Sequence, residues 1–284
     1  MIVNAHAHIG DTRVFDVENF EVDLIRAKDL NGIDVSLVMP STGGQDNTRV
    51  HDRNAALAAE HPGRIFGIVN QTAHQPRESF YREAERCVRQ MGFVGIKLHP
   101  LADAVNPLSS DGRMVFEVAE ALGVPATVHT GTGAPWALPA LCTLPAQAYP
   151  GLKIVLAHSG MGVFTAEAYV AAKVCPNIYL ETSWCLAHDV RWLVKELGAN
   201  RVMMAADLIS NMPMELAKYR GLGLAPTELD MCLAGTAIHV FNLPIAHPSS
   251  SLLASTSNSM EEPCLQTNIF PKPSLFAKDS NHSE

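Results

Sequence analysis

The chain has 284 residues, of which 47% are hydrophobic and 18% are charged, and its formal net charge is −8. This length fills one large α/β domain or two smaller ones. The basic residues do not cluster and no apolar run approaches the ~20 residues of a membrane span, so neither nucleic acid nor a membrane is expected as a partner.

The amino terminus and the cysteines favour a cytoplasmic protein. An apolar strand pattern starts at Val3, without the basic and then apolar segments of a signal peptide. The six cysteines form no C-x-x-C pair, and four of them lie in apolar, regularly patterned stretches. Buried reduced thiols are the simplest interpretation of such cysteines.

Eight short apolar segments recur along the chain, each rich in Val, Ile, Leu or Ala. Six or seven apolar residues in a row are typical of a strand buried in a parallel sheet. The eight predicted strands cover residues 3–8, 34–40, 65–70, 93–99, 125–130, 153–158, 178–183 and 201–207.

Helical patterns lie between these strands. Apolar residues recur at three- and four-residue spacing in 80–91, 115–122 and 190–197. Eight alternations of strand and helix predict an α/β fold, a single-domain (β/α)8 TIM barrel. A doubly wound parallel sheet has the same alternation and is the alternative, but the count of eight favours the barrel.

The pattern changes near the carboxyl end. Residues 226–241 predict a closing helix, so the barrel domain is assigned to residues 1–244. The last 40 residues, 245–284, hold nine Ser and four Pro and show no periodicity. We expect this segment to be a disordered tail.

Ionisable side chains end six of the eight predicted strands. In such barrels the functional groups come from the carboxyl ends of the strands, which share one rim. The second and third strands end less informatively, at Pro40-Ser41 and at Asn70. The ionisable residues on the other six are His6 and His8 (first strand), Lys97 and His99 (fourth), His129 (fifth), His158 (sixth), Glu181 (seventh) and Asp207 (eighth).

The first strand carries an H-x-H pair. Residues two apart on a strand point the same way, so Asn4, His6 and His8 are expected on one face and the intervening apolar residues on the other. Two imidazoles on one face suit a metal ion better than a core, where each nitrogen needs a partner.

A mixed set of imidazole and carboxylate groups suits Zn²⁺, Mn²⁺ or Fe²⁺ better than Ca²⁺. We therefore predict a divalent metal site, with Zn²⁺ as the first choice. The predicted ligands are His6, His8, His129 and Asp207. A buried hydrogen-bonded polar network is the alternative for the same residues.

Other residues at this rim have several interpretations. His158 is a metal ligand, a group that polarises a substrate carbonyl, or a general acid/base. Lys97 is a carbamylated bridging ligand, a cation that binds substrate, or half of a structural ion pair. His99 belongs to the site or is a packing residue that bonds a loop carbonyl. Glu181 belongs to the site or is a structural carboxylate at the rim.

The remaining histidines and two tryptophans are less informative. Trp136 and Trp184 follow the fifth and seventh strands and either line a pocket or cap the barrel with apolar surface. The seven other histidines, interpreted as ordinary surface or packing residues, are His51, His61, His74, His188, His239, His247 and His282.

The ordered motifs NAHAHIG, GIKLHP, VHTG, LAHSG, YLETS and the Asp of MMAAD resemble those of the amidohydrolase superfamily. The likeness is to its amidohydrolase-related branch, which also contains non-oxidative decarboxylases, and it spans roughly residues 3–243. It implies a (β/α)8 barrel with a mononuclear or binuclear metal centre. The implied ligands are His6, His8, His129 and Asp207, with His158 beside them.

The chain departs from this family pattern in two places. Ala205 and Ala206 precede Asp207, where relatives often have Gly-Ser. Met161 interrupts what is often a run of glycines. Lys97 matches the strand that bears a carbamylated lysine in some binuclear relatives.

The predicted function is metal-dependent hydrolysis of an amide, lactam, lactone or ester bond in a small molecule. A metal-activated water would attack, Asp207 would move its proton, and His158 or the metal would polarise the carbonyl. One alternative is a metal-dependent decarboxylase of a small carboxylic acid that uses Asp207 or His158 to protonate carbon. Another is a catalytically silent barrel that binds a metal or a metabolite. A homo-oligomer is compatible with either.

We expect truncation after Leu243 to change the melting temperature by only a few degrees, because the tail can bury little apolar surface to offset its ordering entropy. Calorimetry of the full and truncated chains measures this difference. A collapse in soluble yield, or a large fall in melting temperature, would show that the tail packs on the barrel.

Overall fold

The computed structural model describes residues 1–12, 16–42, 47–131, 133 and 135–246. The predicted tail therefore lies outside the described residues from position 247 onward, together with Cys264, His247 and His282. The strands are β1 Val3–Thr12, β2 Val17–Asn19, β3 Val35–Pro40, β4 Ile65–Gly67, β5 Val69–Asn70, β6 Ile96–Leu98, β7 Ala126–His129, β8 Ile154–Ala157, β9 Ile178–Glu181 and β10 Val202–Met203.

Helices follow most of these strands. They are α1 Glu21–Leu30, α2 Asn47–Glu60, α3 Arg77–Glu85, α4 Ser110–Leu122, α5 Thr143–Ala148, α6 Thr165–Val174, α7 Ala187–Leu197, α8 Met212–Arg220, α9 Pro226–Asp230 and α10 Thr236–Val240. A π-helical turn, Met231–Gly235, joins α9 to α10, and this confirms the closing helix predicted over 226–241. Another π-helical turn, Arg86–Gln90, extends α3.

The strands form a closed parallel barrel. One sheet has the order β2-β1-β3-β4 and the other β10-β9-β8-β7-β6-β5, while β4 and β5 are two parts of one extended stretch. An isolated parallel bridge between Ala7 and Asp207 closes the barrel between β1 and the segment that follows β10. At this seam the Asp207 N–H donates to the His6 carbonyl at 2.9 Å. The predicted (β/α)8 barrel is therefore confirmed.

Most of the predicted strands are shorter in the structure than in the sequence pattern, and the fourth, predicted over 93–99, is reduced to Ile96–Leu98. β8 ends at Ala157 and β10 at Met203, whereas we predicted strands through His158 and Asp207. His158 has φ of +65°, which ends the extended conformation directly after β8. Asp207 has the same φ but lies four residues beyond the end of β10. The first strand is longer than predicted, because it runs to Thr12 and pairs with β2 as an antiparallel hairpin.

A β-bulge in β1 overturns the predicted face of Asn4. The register of β1 against β3 shifts between Asn4 and Ala7. Val3 and Ala5 pack in the barrel interior, but Ala7 packs in the outer layer between barrel and helices. Asn4 turns towards β10, where its Oδ1 accepts the N–H of Ala206 at 2.8 Å. Simple alternation missed this because the extra residue in a bulge reverses the faces beyond it.

The interior is consistent with the predicted reduced thiols. The cysteines among the described residues are buried and form no disulfide with one another: Cys87, Cys142, Cys175, Cys185 and Cys232. Within the described part of the chain, no helix has the length and apolar character that crossing a membrane requires.

Candidate active site

Three side chains converge where the first and last barrel strands meet. His6 Nε2 and His8 Nε2 lie 3.0 Å apart. Asp207 Oδ1 lies 3.4 Å from His6 Nε2 and 3.1 Å from His8 Nε2. The predicted grouping of these three residues is therefore present, although their role as metal ligands stays a prediction.

The other nitrogen of each imidazole is held by an acceptor. His6 Nδ1 lies 3.0 Å from Glu181 Oε2, and His8 Nδ1 lies 3.2 Å from the carbonyl oxygen of Pro40. A carbonyl oxygen can only accept, so His8 Nδ1 carries the hydrogen of that bond. By the same reasoning, His6 Nδ1 carries the hydrogen that it donates to the Glu181 carboxylate. In the neutral rings both Nε2 atoms then present lone pairs to each other and to Asp207.

A hydrogen bond fixes one oxygen of Asp207. Its Oδ2 accepts the indole N–H of Trp184 at 2.8 Å, which leaves Oδ1 directed at the histidines. Burial raises the pKa of this carboxyl group, but the neighbouring imidazoles of His6 and His158 outweigh it and hold the pKa well below its ordinary value. Asp207 is therefore ionised at neutral pH.

Glu181 lies beneath the site rather than on an exposed rim, and it is 1% exposed. Besides His6, its carboxylate accepts the backbone N–H of His158 at 3.2 Å and that of Ser183 at 2.6 Å. These bonds orient His6 and tie β9 to the loop that carries His158. Glu181 was predicted to be either a site residue or a structural carboxylate at the rim. It combines both, because it contacts His6 and also supports the surrounding backbone.

His158 extends the cluster towards the fifth strand. Its ring stacks 5.1 Å from that of His6, and its Nδ1 lies 2.7 Å from the hydroxyl of Ser183. Burial lowers the pKa of His158 to about 4, so this imidazole is neutral at physiological pH. A neutral ring in this position can accept or relay a proton.

His129 contacts His158 edge-on, with ring centroids 4.9 Å apart. Both of its ring nitrogens are buried and have no hydrogen-bond partner among the described residues. Burial lowers its pKa to about 2, with a contribution from nearby His158, so the ring is neutral. Unpartnered buried nitrogens are rare and costly, and a bound cation or substrate would relieve the cost.

His99 packs flat on His129, with ring centroids 4.0 Å apart. Its Nδ1 accepts the N–H of Ala102 at 3.2 Å, so it bonds a loop amide and not the loop carbonyl that we expected. His99 therefore lies in the site as a neighbour of His129.

Lys97 projects into the same cluster. Its Nζ lies 3.2 Å from His6 Nε2, and its side chain is 1% exposed. Among the described residues it forms no direct ion pair, but the charges of Asp207 and Glu181 act on it, so its three interpretations stay predictions. Burial lowers the pKa of Lys97 to about 8, so a substantial fraction of the amine is charged at neutral pH.

Sequence reasoning missed the roles of Trp184 and Ser183. A sequence pattern cannot show that the indole N–H of Trp184 donates to a carboxylate 23 residues away. The only signal in the sequence was the position of Trp184 just after a strand, which suggested a residue near the rim. Met161, the departure from a glycine run, keeps the left-handed backbone that glycine favours, with φ of +50°. Its side chain packs against Gly131, where an added Cβ would lie 2.5 Å from Met161 Cγ.

Comparison with known proteins gives relatives of this chain. The chain is 24% identical over 262 residues to a gamma-resorcylate decarboxylase of Polaromonas sp., a match covering 69% of this chain and 78% of the relative. It is 25% identical over 202 residues to a 2-amino-3-carboxymuconate-6-semialdehyde decarboxylase of Dictyostelium discoideum, covering 56% of this chain and 55% of the relative.

The fold is shared with solved structures. A dihydroxybenzoic acid decarboxylase from Polaromonas sp. JS666, crystallised with manganese and 2-nitroresorcinol, superposes with a TM-score of 0.69 at 19% identity, covering 86% of this chain and 98% of the other. The sequence profile of the family described as Amidohydrolase matches residues 20–243, most of the chain. The chain therefore belongs to this amidohydrolase family.

Proposed function

We propose that this chain is a metal-dependent, non-oxidative decarboxylase of a small carboxylic acid. The observation that carries the proposal is the convergence of three acceptor atoms, on His6, His8 and Asp207, beside the buried amine of Lys97. Three acceptors facing one another favour a cation between them, and a neighbouring ammonium favours an anionic substrate. Both curated relatives described above are decarboxylases, which supports this reaction over hydrolysis.

The residues present fit a divalent metal. His6, His8 and Asp207, whose ligand atoms lie within 4.8 Å of one another, would hold it. His129 lies outside this compact group and is proposed as a further ligand because its ring nitrogens lack any partner in the described structure. The ligand types alone favoured Zn²⁺, but the manganese in the related decarboxylase makes Mn²⁺ an equal candidate. A divalent cation bound here would withdraw electron density from a chelated substrate and stabilise its developing negative charge.

The protein's own groups would handle the substrate and one proton. Lys97 would attract and orient the substrate carboxylate or an adjacent hydroxyl. When the carbon–carbon bond breaks, CO₂ leaves and the electron pair of that bond remains on the substrate carbon. This carbon must then take a proton. His158 and Asp207 are the proposed proton carriers. Since their pKa values leave both without a stored proton at neutral pH, they would relay one from water or from a substrate hydroxyl.

Hydrolysis is the second candidate. It is favoured by the ionised state of Asp207, because a carboxylate beside the predicted metal ligands can take a proton from an attacking water. His158 would then stabilise negative charge on the carbonyl oxygen of the amide, lactone or ester.

Product analysis separates these candidates. Protein loaded with Mn²⁺ or Zn²⁺ is offered aromatic and unsaturated carboxylic acids, and in parallel lactones and amides. We expect stoichiometric CO₂ from at least one acid. Hydrolysis of a lactone or amide, without CO₂ from any acid, would overturn the decarboxylase proposal in favour of the second candidate.

Asp207→Asn keeps the shape and one coordinating oxygen but removes the basic carboxylate. We expect turnover to fall by ~10²–10⁴, the usual effect of losing a general acid/base, with metal partly retained. Steady-state rates of CO₂ release measure the change, and Asp23→Asn on the exposed face of α1 serves as the control. Turnover near the wild-type rate in Asp207→Asn would exclude Asp207 as a proton carrier.

Single His6→Ala and His8→Ala variants test the metal assignment. Each removes one of about four ligands, so we expect the metal-to-chain ratio measured by elemental analysis to fall sharply in both. His74→Ala is the matched control, because His74 pairs with Asp111 at 2.7 Å on the surface. Full metal content in both test variants would show that His6 and His8 are not ligands and belong to a hydrogen-bonded polar network.

Trp184→Phe keeps an aromatic ring and removes the N–H that holds Asp207 Oδ2. We expect Mn²⁺ to bind about tenfold more weakly, the lower end of the effect of losing a partner of a ligand, because the indole is 40% exposed and water can replace the donor. Titration of metal-free protein measures this affinity. Trp192→Phe, whose ring packs 4.6 Å from Tyr169, should bind Mn²⁺ normally. Equal affinity in both variants would show that the indole does not orient Asp207.

A further inference from the structure

The two strands whose ends seemed uninformative meet at one carbonyl oxygen beside the site. β3 ends at Pro40, whose oxygen accepts a hydrogen bond from His8 Nδ1 at 3.2 Å. The stretch formed by β4 and β5 ends at Asn70, whose Nδ2 donates to the same oxygen at 2.9 Å. The Pro40 carbonyl therefore couples Asn70 directly to His8.

Two side chains of helix α2, which lies outside the barrel, form hydrogen bonds with the backbone of Asn70. Its backbone N–H donates to His51 Nε2 at 3.1 Å, and its carbonyl accepts from Asn47 Nδ2 at 2.6 Å. Asn47 and His51 are four residues apart, so both project from one face of the helix. The Asn70 peptide is thus held at both ends, which leaves its side chain little freedom.

His51 is oriented in turn by Glu83 on α3. His51 is fully buried, and its Nδ1 lies 2.8 Å from Glu83 Oε1, which fits the packing residue and not the surface residue of its two interpretations. Burial raises the pKa of Glu83, but hydrogen bonds from His51 and Arg86 lower it to about 2, so the carboxylate is ionised. Nδ1 therefore donates, and Nε2 accepts the Asn70 N–H.

The trio of His51, Glu83 and Cys87 has the spacing of a small metal site but does not serve as one. Both ring nitrogens of His51 already make hydrogen bonds. Burial raises the pKa of the Cys87 thiol, so it stays protonated and is a poor ligand. We assign this trio to the support of Asn70.

We infer that Asn70 is a positioning residue of the metal centre, acting on His8 through the Pro40 carbonyl. The inference rests on the proposed role of His8 as a ligand. Because Asn70 fixes the position of the Pro40 oxygen, the hydrogen bond from His8 Nδ1 to that oxygen holds the His8 ring in one orientation and one tautomer. Its Nε2 lone pair then faces His6 and Asp207.

Asn70→Ala tests the inference on metal-free protein titrated with Mn²⁺ alone. We expect the affinity to fall by ~10–100-fold, as is typical when the hydrogen-bond partner of a metal ligand is lost. Asn54→Ala is a closely matched control. Asn54 is also fully buried, and its Nδ2 donates at 2.6 Å to the oxygen of Val38, two residues before Pro40 on the same strand. Asn54→Ala should lower the melting temperature comparably and leave Mn²⁺ affinity unchanged.

Two results would overturn the inference. Wild-type Mn²⁺ affinity in Asn70→Ala would show that His8 needs no such support. Equal weakening in Asn54→Ala would show that general loosening of β3 is responsible. If Asn70→Ala does not fold, Asn70→Ser, which keeps a shorter donor, is titrated in its place and should show intermediate affinity, while wild-type affinity there would overturn the inference.

This readout is independent of the reaction catalysed. If no acid is decarboxylated but Mn²⁺ affinity falls in Asn70→Ala alone, the positioning role stands and the proposed reaction fails. If CO₂ is released by the wild type and Asn70→Ala binds Mn²⁺ normally, the reaction stands and the positioning role fails.

Discussion

The hydrogen bond from the Asp207 N–H to the His6 carbonyl is the interaction on which the rest of the site depends. It joins the first strand to the end of the last across 200 residues of chain and closes the barrel. The same pairing sets the register that brings the side chain of Asp207 to those of His6 and His8. Because side chains alternate along a strand, a slip of one residue at this seam would send one partner into the outer layer. Closure of the fold and assembly of the site are therefore one event.

Around that seam, hydrogen bonds fix the orientation of the side chains of the site. The acceptors Glu181 and Pro40 each fix one nitrogen of a histidine, and Trp184 fixes one oxygen of Asp207. The remaining atoms, His6 Nε2, His8 Nε2 and Asp207 Oδ1, face one another, with Lys97 Nζ 3.2 Å from His6 Nε2. The proposed cation would stabilise this arrangement and would require little reorganisation of the side chains on binding.

Much of this could be predicted from sequence, since parallel strands in a barrel end at one rim. That rule was enough to place Lys97, His129, His158 and Asp207 together. It could not place Asn4, because a bulge depends on pairing with a neighbouring strand. It also could not reveal His51, whose partners come from two other segments. The choice between decarboxylation and hydrolysis depends on what the substrate presents to the site, and a ligand pattern contains no information about that.

The loops after β8, β9 and β10 carry non-glycine residues with positive φ: His158, Ser159, Met161, Trp184 and Asp207. Each such residue costs on the order of 1 kcal/mol relative to an ordinary backbone, and only the surrounding contacts maintain it. Several kcal/mol of folding free energy are thus stored at the rim and offset by the buried barrel. Two of these residues, His158 and Asp207, also carry side chains that are directed into the site. Part of the stability of the barrel is therefore given up to set the direction of these side chains.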